Sequence, residues 1–341
     1  MRILVTGGAG FIGSNFVHQT LRDHPADELV VLDKLTYAGN LKNLEGPLAS
    51  PRVTFIRADI SDPAVAGHAR NCDAVVHFAA ESHVDRSIED AAPFVRTNVE
   101  GTWRLIDSCR AAGVKRFIHV STDEVYGSLA PGESADESWP LAPTSPYAAS
   151  KAASDLMVLA AVRTHGFPAI ITRCTNNYGP HQFPEKFIPL MIAQALNNEA
   201  LPIYGDGRNI RDWIHVSDHC HALDVILRRG RVGEIYNIGR GCELENLTIA
   251  RKILSILARP ESLLKFVTDR PAHDRRYALN CKKLSAELGW KPVCEFERGL
   301  AETIKWYREN SEWLAETRSG EYQQYFERHY LRRMETFHKQ P

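Results

Sequence analysis

The sequence predicts an α/β protein: a doubly wound parallel sheet in the first half, then a smaller, mainly α-helical unit. Three observations carry this. Short apolar or β-branched runs recur through the first half, helix-length stretches separate several of them, and the first run ends directly in glycines. Strands buried on both faces read as continuous apolar runs, and parallel neighbours need crossover connections that are usually helical.

The first strand is placed at 2–6, and others at 29–32, 53–56, 74–78 and 117–120. The stretch 93–112 is long enough for a crossover helix. The stretch 146–165 carries a helix-start signal: Ser145 can cap, Pro146 fits the first turn, and an alanine-rich run follows. Residues 169–173 read as a further buried strand. From about Asn176 the texture changes, and Gly, Pro, Asn and aromatics dominate through Trp213, as in a loop-rich binding region. A late strand is expected at 234–238 and helices at 246–257 and 298–310. The expected division is 1–175 for the first unit, with a return segment near 207–238, and 176–341 for most of the second. The tail 320–341 is aromatic and basic and reads as a helix. Two roles stand open for it, a packed terminal helix and a partner-binding surface.

Composition narrows the classes. With 341 residues, 44% hydrophobic and 24% charged, the chain can bury a large core without staples. Lys plus Arg is 41 and Asp plus Glu 42, a formal charge of −1, which argues against a polyanion-binding protein. The apolar run 74–80 falls far short of the roughly 18–20 residues that span a bilayer. The start, MRILVTGG, has no secretory-leader pattern. Seven scattered cysteines without a CxxC pair point to reduced thiols in a cytoplasmic protein, read as buried small hydrophobes. His215, His219 and His221 form HxxxHxH, but a metal site needs further ligands, so no metal is expected.

The first strand runs into TGGAGFIGS. Gly7 permits the tight turn, Gly10 lets the backbone approach a pyrophosphate, and Gly13 allows close helix packing. The helix start then offers free N–H groups and a positive dipole end to phosphates. This is a Rossmann-type dinucleotide signature in its strand and helix context. Asp33 closes the second strand, where a carboxylate accepts from an adenosine ribose and repels a 2′-phosphate, favouring NAD over NADP. Asp59 follows the third strand on the adenine side. HFAAES, with Phe78, Ala79, Ala80 and Ser82, follows the fourth, and its small residues suit close approach to a cofactor.

Tyr147 and Lys151 stand at i and i+4 in YAASK, on one helical face. A nearby ammonium stabilises a phenolate and lowers its pKa, and such a phenol can act as general base on an alcohol. Thr122, Asp123 and Glu124 follow the fifth strand, and ligands bind beyond the carboxyl ends of strands in open α/β sheets. Thr122 can bond a reacting hydroxyl. Adjacent carboxyls suit a proton donor and a proton acceptor whose pKa values are pushed apart. A helix cap with acidic first-turn residues is the plainer alternative for this segment.

TGGAGFIG, HFAAESHVDRS, STDEVYG, SPYAASKAASD, TRCTNNYGPHQFPEKFIP, YGDGRNIRDWIHV, EIYNIG and DRPAHDRRYALN together resemble the extended short-chain dehydrogenase/reductases, and within them the dTDP-glucose 4,6-dehydratases, over roughly 1–315. The resemblance implies a hydro-lyase with NAD, a nucleotide-sugar substrate (dTDP-glucose) and a homodimer built on helices 93–112 and 146–165. It implies catalytic roles for Thr122, Asp123, Glu124, Tyr147 and Lys151. Tyr147, helped by Lys151, takes the proton of the sugar 4-hydroxyl. Glu124 takes the C5 proton, and Asp123 protonates the departing 6-hydroxyl. Thr122 polarises O4.

Further cofactor contacts implied are Phe11, Ile12, Lys34, Leu35, Thr36, Ile60, Thr97 and Asn177, beside those already named. On the substrate side the resemblance implies Ser82 near the sugar and Asn176 at the diphosphate. Lys186 and Phe187 come from PEKF. Pro202, Ile203 and Tyr204 border the nucleobase, and Arg211, Asn246, Arg270, His273, Asp274 and Tyr277 complete the pocket. Arginines bind diphosphate oxygens in a fork. The alternatives are a UDP-glucose 4,6-dehydratase, a nucleotide-sugar 4-epimerase, and a non-catalytic NAD-binding regulator. The adjacent Asp123–Glu124 pair speaks against an epimerase, which eliminates nothing.

Overall fold

The computed structural model describes residues 1–318 and 320–331. Its strands in chain order are β1 (Arg2–Thr6), β2 (Glu28–Asp33), β3 (Val53–Arg57), β4 (Ala74–His77), β5 (Arg116–Thr122) and β6 (Ala169–Cys174). Then come β7 (Asn176–Tyr178), β8 (Leu201–Tyr204), β9 (Ile210–His215), β10 (Ile235–Ile238), β11 (Glu243–Glu245) and β12 (Leu264–Val267). The main sheet has seven parallel strands in the order β10-β6-β5-β4-β1-β2-β3. The expected runs of the first half fall on these strands to within two residues. β1, β4, β5 and β6 are buried nearly throughout, which is why they read as mainly apolar or β-branched runs.

Strand order reverses direction at β1 and β4, the switch point at which open α/β sheets bind ligands. One face of the sheet packs Val5, Phe16, Val31 and Val76, and the other packs Leu4, Val75, Leu105 and Phe117. The chain leaves the sheet after β6, forms β7, β8 and β9, and returns as β10 beside β6. Outside the main sheet lie a three-stranded sheet, β11-β9-β7, and a parallel pair, β12-β8. A second core gathers around helices Phe187–Leu196, Asn246–Ile256 and Phe296–Glu309.

The helix Pro146–His165 matches its expected bounds. Ser145 Oγ accepts from Ala148 N–H at 3.1 Å, and Gly166, at φ 61°, ends the helix in the left-handed region. The 93–112 stretch differs from a plain helix. It is π-helical over Val95–Gly101 before the α-helix Thr102–Ala111. The wide turn carries Asn98, whose side chain accepts from Glu81 N–H and donates to Glu81 O, tying the loop after β4 to the helix. π turns often mark functional positions.

Two further expectations are corrected. Five cysteines are buried, but Cys242 and Cys281, in the segments before β11 and before the helix Lys282–Leu288, are only half-buried. All seven are free thiols. In the tail, Glu321–Phe326 is α-helical and Glu327–Leu331 π-helical, with Tyr325 and Tyr330 packed into the second core. The expected helix at 332–341 lies outside the described residues. Among the described residues no helix is long and apolar enough to cross a membrane.

Candidate active site

The turn after β1 is shaped by close backbone contact. Gly7 has φ 69°, and a Cβ there would stand 2.6 Å from Ala79 N, so the backbone of the loop after β4 can pass only if position 7 has no side chain. A Cβ on Gly13 would stand 2.3 Å from Gly7 O. Gly10 precedes the helix Phe11–Asp23 without any side-chain cap, leaving the first-turn N–H groups for a ligand. Asp33 Oδ2 accepts from Ala9 N–H at 3.0 Å and Oδ1 from Leu35 N–H at 2.8 Å. Burial raises this carboxyl, and the two N–H groups work against that rise. Each oxygen keeps a lone pair for a ribose hydroxyl. Lys34 Nζ pairs with Asp59 Oδ2 at 3.2 Å along the same edge.

These groups open onto a cavity of about 320 Å³ that runs from the glycine turn to the end of β5. The structure brings Gly7, Gly10, Phe11, Ile12, Gly13, Asp33, Lys34, Thr36, Asp59 and Ile60 to its walls. Phe78, Ala79, Ala80, Ser82, Thr97 and Asn177 line it too. So do Thr122, Asp123, Glu124, Tyr147, Lys151, Asn176, Lys186 and Phe187. Leu35 is not on the wall. Its backbone, at φ 59°, wraps Asp33 instead.

At the β5 end, Thr122 Oγ1 accepts from Glu124 N–H at 3.2 Å and donates to Asp123 Oδ1 at 3.2 Å. Asp123 Oδ2 is buried without a hydrogen-bond partner. Burial first, and the neighbouring Glu124 second, push the Asp123 carboxyl well above its ordinary value. Burial also raises Glu124, but Arg270, Arg211 and Lys186 oppose the rise. The two carboxyls are thereby separated, with Asp123 the better proton holder.

The expected lowering of the Tyr147 phenol by Lys151 is not found. Desolvation and the Glu124 charge push the phenol well above its ordinary value, and Thr122 opposes them through a hydrogen bond. Lys151 Nζ donates to Val120 O at 2.8 Å, and burial lowers its pKa to about 8.

The remaining expected residues form a second group behind this wall. Arg211 stacks on Tyr277 at 4.3 Å and donates to Asp274 O at 2.9 Å. Tyr277 OH and Thr144 Oγ1 both donate to Asp274 Oδ2. His273 pairs with Asp269 at 2.6 Å, and Asn246 keeps a buried Oδ1 without a partner. Arg270 pairs with Asp85 at 3.4 Å, and Tyr204 OH donates to the same carboxylate at 3.0 Å. Ile203 is a core residue, and Pro202 is buried beside it in β8, so neither reaches the cavity. His215 bonds Ser217, His219 bonds Asn177, and His221 is exposed, so this trio does not converge.

Sequence reasoning missed Asp85, Arg86 and Glu185. Glu185 lines the cavity and pairs with Arg86 at 3.1 Å, while Arg86 lies over Tyr37 at 3.9 Å. The signal was present, since HVDRS and PEKF are both charged and follow glycine- or alanine-rich loops. Phe183, Thr175 and Trp213 also line the cavity and carried no pattern of their own.

A glycine turn at the switch point, sharing one cavity with a Tyr–Lys pair at the end of β5, defines a dinucleotide-dependent enzyme of the short-chain dehydrogenase/reductase class. A family model described as GDP-mannose 4,6 dehydratase matches residues 4–303, and the chain belongs to that family. It is 52% identical over 319 residues to a dTDP-glucose 4,6-dehydratase of an Actinoplanes species, covering 92% of this chain and 99% of the relative. The crystal structure of DesIV (dTDP-glucose 4,6-dehydratase) from Streptomyces venezuelae, with NAD and TYD bound, is 53% identical with a TM-score of 0.91, covering 93% of this chain and 100% of that one. A Thermus thermophilus UDP-glucose 4-epimerase in complex with NAD is less alike, at 31% identity and a TM-score of 0.83, covering 91% of this chain and 100% of that one.

Proposed function

We propose that this chain is an NAD-dependent dTDP-glucose 4,6-dehydratase, converting dTDP-glucose to dTDP-4-keto-6-deoxyglucose and water. The observation that carries it is the Asp123–Glu124 pair, unequally raised and adjacent to Tyr147 in a cavity continuous with the glycine turn. The half-identical dehydratases support the choice of nucleotide sugar over the broader family model.

The residues fit NAD. The uncapped helix start after Gly10, in a turn that Gly7 and Gly13 pack tightly, suits a pyrophosphate, and Asp33 suits an unphosphorylated ribose. NAD, when bound, supplies a hydride acceptor for C4 and a hydride donor for C6. Tyr147 takes the 4-hydroxyl proton in its phenolate form, which the Lys151 ammonium has to favour against the burial and the Glu124 charge that raise the phenol. Thr122 holds O4. The 4-ketone acidifies C5–H, and Glu124 removes that proton. Asp123 gives its proton to the 6-oxygen, which leaves as water. Glu124 returns its proton to C5, and the proton that Tyr147 took from the 4-hydroxyl replaces the one Asp123 gave to the departing water, which closes the cycle.

Residues 1–175 with the 207–238 return would hold the cofactor, and most of 176–341 the nucleotide sugar. Two supports favour a homodimer: Val95 and Leu156 are exposed apolar residues on the two implied helices. Free thiols throughout suit the reducing cytoplasm. The test is mass spectrometry of purified protein with dTDP-glucose and no added NAD. Loss of one water without net NADH supports the reading. A product of unchanged mass points to an epimerase, and water loss only from UDP-glucose moves the substrate.

A further inference from the structure

Beneath the cavity lies a buried charged cluster that no step above uses. Asp155 stands one turn after Lys151 on the Pro146–His165 helix, so both point toward the sheet. Its Oδ2 accepts from Arg173 Nε at 2.9 Å, and its Oδ1 lies 3.4 Å from His119 Nε2. Arg173 continues to the Tyr126 hydroxyl at 2.9 Å, which donates to Asn237 Oδ1 at 2.9 Å. The helix, β5, β6 and β10 therefore meet in one network closed to water.

Without Asp155 its two cations would have no anion at all, and with Asp155 one positive charge is still left over. Lys151 and Arg173 are both buried cations. Around Lys151 stand Tyr147 and Asp155 on its own helix, His119 on β5, His77 on β4, and Arg173 and Cys174 on β6. Burial pushes His119 down to about 4 and His77 well below its ordinary value, and both stay neutral. Burial raises the Cys174 thiol to about 12 and the Tyr147 phenol well above its ordinary value, so neither supplies a negative charge. Asp155 is the anion left. Burial opposes its charge, but His119 and Arg173 hold it below its ordinary carboxyl value. A buried ammonium without a counter-charge gives up its proton. The Val120 carbonyl directs Lys151 but brings no formal charge.

We propose that Asp155 is a positioning residue for Lys151: anchored by Arg173, it is the counter-charge that keeps the lysine ammonium protonated beside Tyr147. This rests on the assignment of Lys151 above. Arg173 competes with Lys151 for the same carboxylate, so the two partners of Asp155 act in opposite directions.

The experiment compares kcat/KM against pH for wild type, Asp155→Asn and Arg173→Gln, with bound NAD content as the check on folding. Asp155→Asn is expected to move the alkaline limb about one unit to lower pH, a tenfold change in proton affinity. Arg173→Gln is expected to move it to higher pH. A purely structural role predicts lower kcat or Tm in both, with the limb unmoved, and that result overturns the proposal. If one variant fails to fold, the other decides alone. Carbamylation of Lys151 by cyanate, followed by mass spectrometry across pH, gives a readout independent of the substrate. It reacts only with the neutral amine, so its midpoint must fall in Asp155→Asn even if dTDP-glucose proves to be the wrong nucleotide sugar. An unchanged midpoint overturns the proposal by itself.

Discussion

Thr122, Asp123 and Glu124 are consecutive, yet their surroundings differ. Asp123 is fully enclosed with an unpartnered oxygen, whereas Glu124 faces Arg270, Arg211 and Lys186. That asymmetry assigns the donor and the acceptor. Glu124→Gln removes only the base, so turnover is expected to drop by about 10²–10⁴-fold while bound NAD stays at the wild-type level. Full dehydration by that variant would remove Glu124 from the mechanism. Lys151 supplies the second expectation. Its pKa is lowered to about 8, and activity requires its charged form. The charged form is present below that value and lost above it, so kcat/KM should fall as pH rises through about 8. A pH profile level to pH 10 would contradict that role. Much of this was legible in YAASK and STDE, because side chains at fixed local spacing share a face whatever surrounds them. The raised Tyr147 phenol was not legible, because desolvation and a charge from another segment set it.

Among elements, the central strands of the main sheet were legible for the same physical reason that they are buried: both faces are covered, so most of their positions are apolar or β-branched. The helix Pro146–His165 announced its start through Ser145 and Pro146, and Gly166 ends it in the structure. β7 and β11 were not legible, since three-residue strands carry no period and owe their pairing to β9. The π-helical stretch Val95–Gly101 was hidden too, because its wide turn is stabilised by Asn98 reaching the Glu81 backbone, a distant contact. Two substitutions separate cap from cradle. Ser145→Ala should cost about 1 kcal/mol of stability, read as a lower Tm, with the cofactor retained. Gly13→Ala places a Cβ 2.3 Å from Gly7 O. It should cost about 1–3 kcal/mol and release NAD. Retained NAD in Gly13→Ala would mean that the turn is not the pyrophosphate cradle.

At the scale of the whole molecule, the described end of the chain folds back onto the second unit and reaches the nucleotide-side residues. Tyr322 OH donates to the carbonyl of Pro184, the first residue of PEKF, at 3.1 Å. His329 is buried between Asp85, at 3.2 Å, and Glu89, at 3.3 Å, and its Nε2 lies 2.8 Å from the Tyr204 hydroxyl. Asp85 therefore serves Arg270, Tyr204 and His329 at once, and these contacts with Arg270, His83 and His329 hold its carboxyl far below the ordinary value against the cost of burial. Without His329, Asp85 would claim more of Arg270 and Tyr204, the groups proposed to meet the nucleotide. A hydrogen bond to a charged group is worth about 1.5–3 kcal/mol, so His329→Ala should raise KM for the nucleotide sugar about tenfold or more. Among the described residues, Thr122, Asp123 and Glu124 at the end of β5 and Tyr147 and Lys151 on the Pro146–His165 helix make no hydrogen bond or ion pair with 320–331, so kcat should change little. Steady-state kinetics on the folded variant separate the two constants. An unchanged KM would make the tail a packing element alone, whereas a fall confined to kcat would place it in the chemistry.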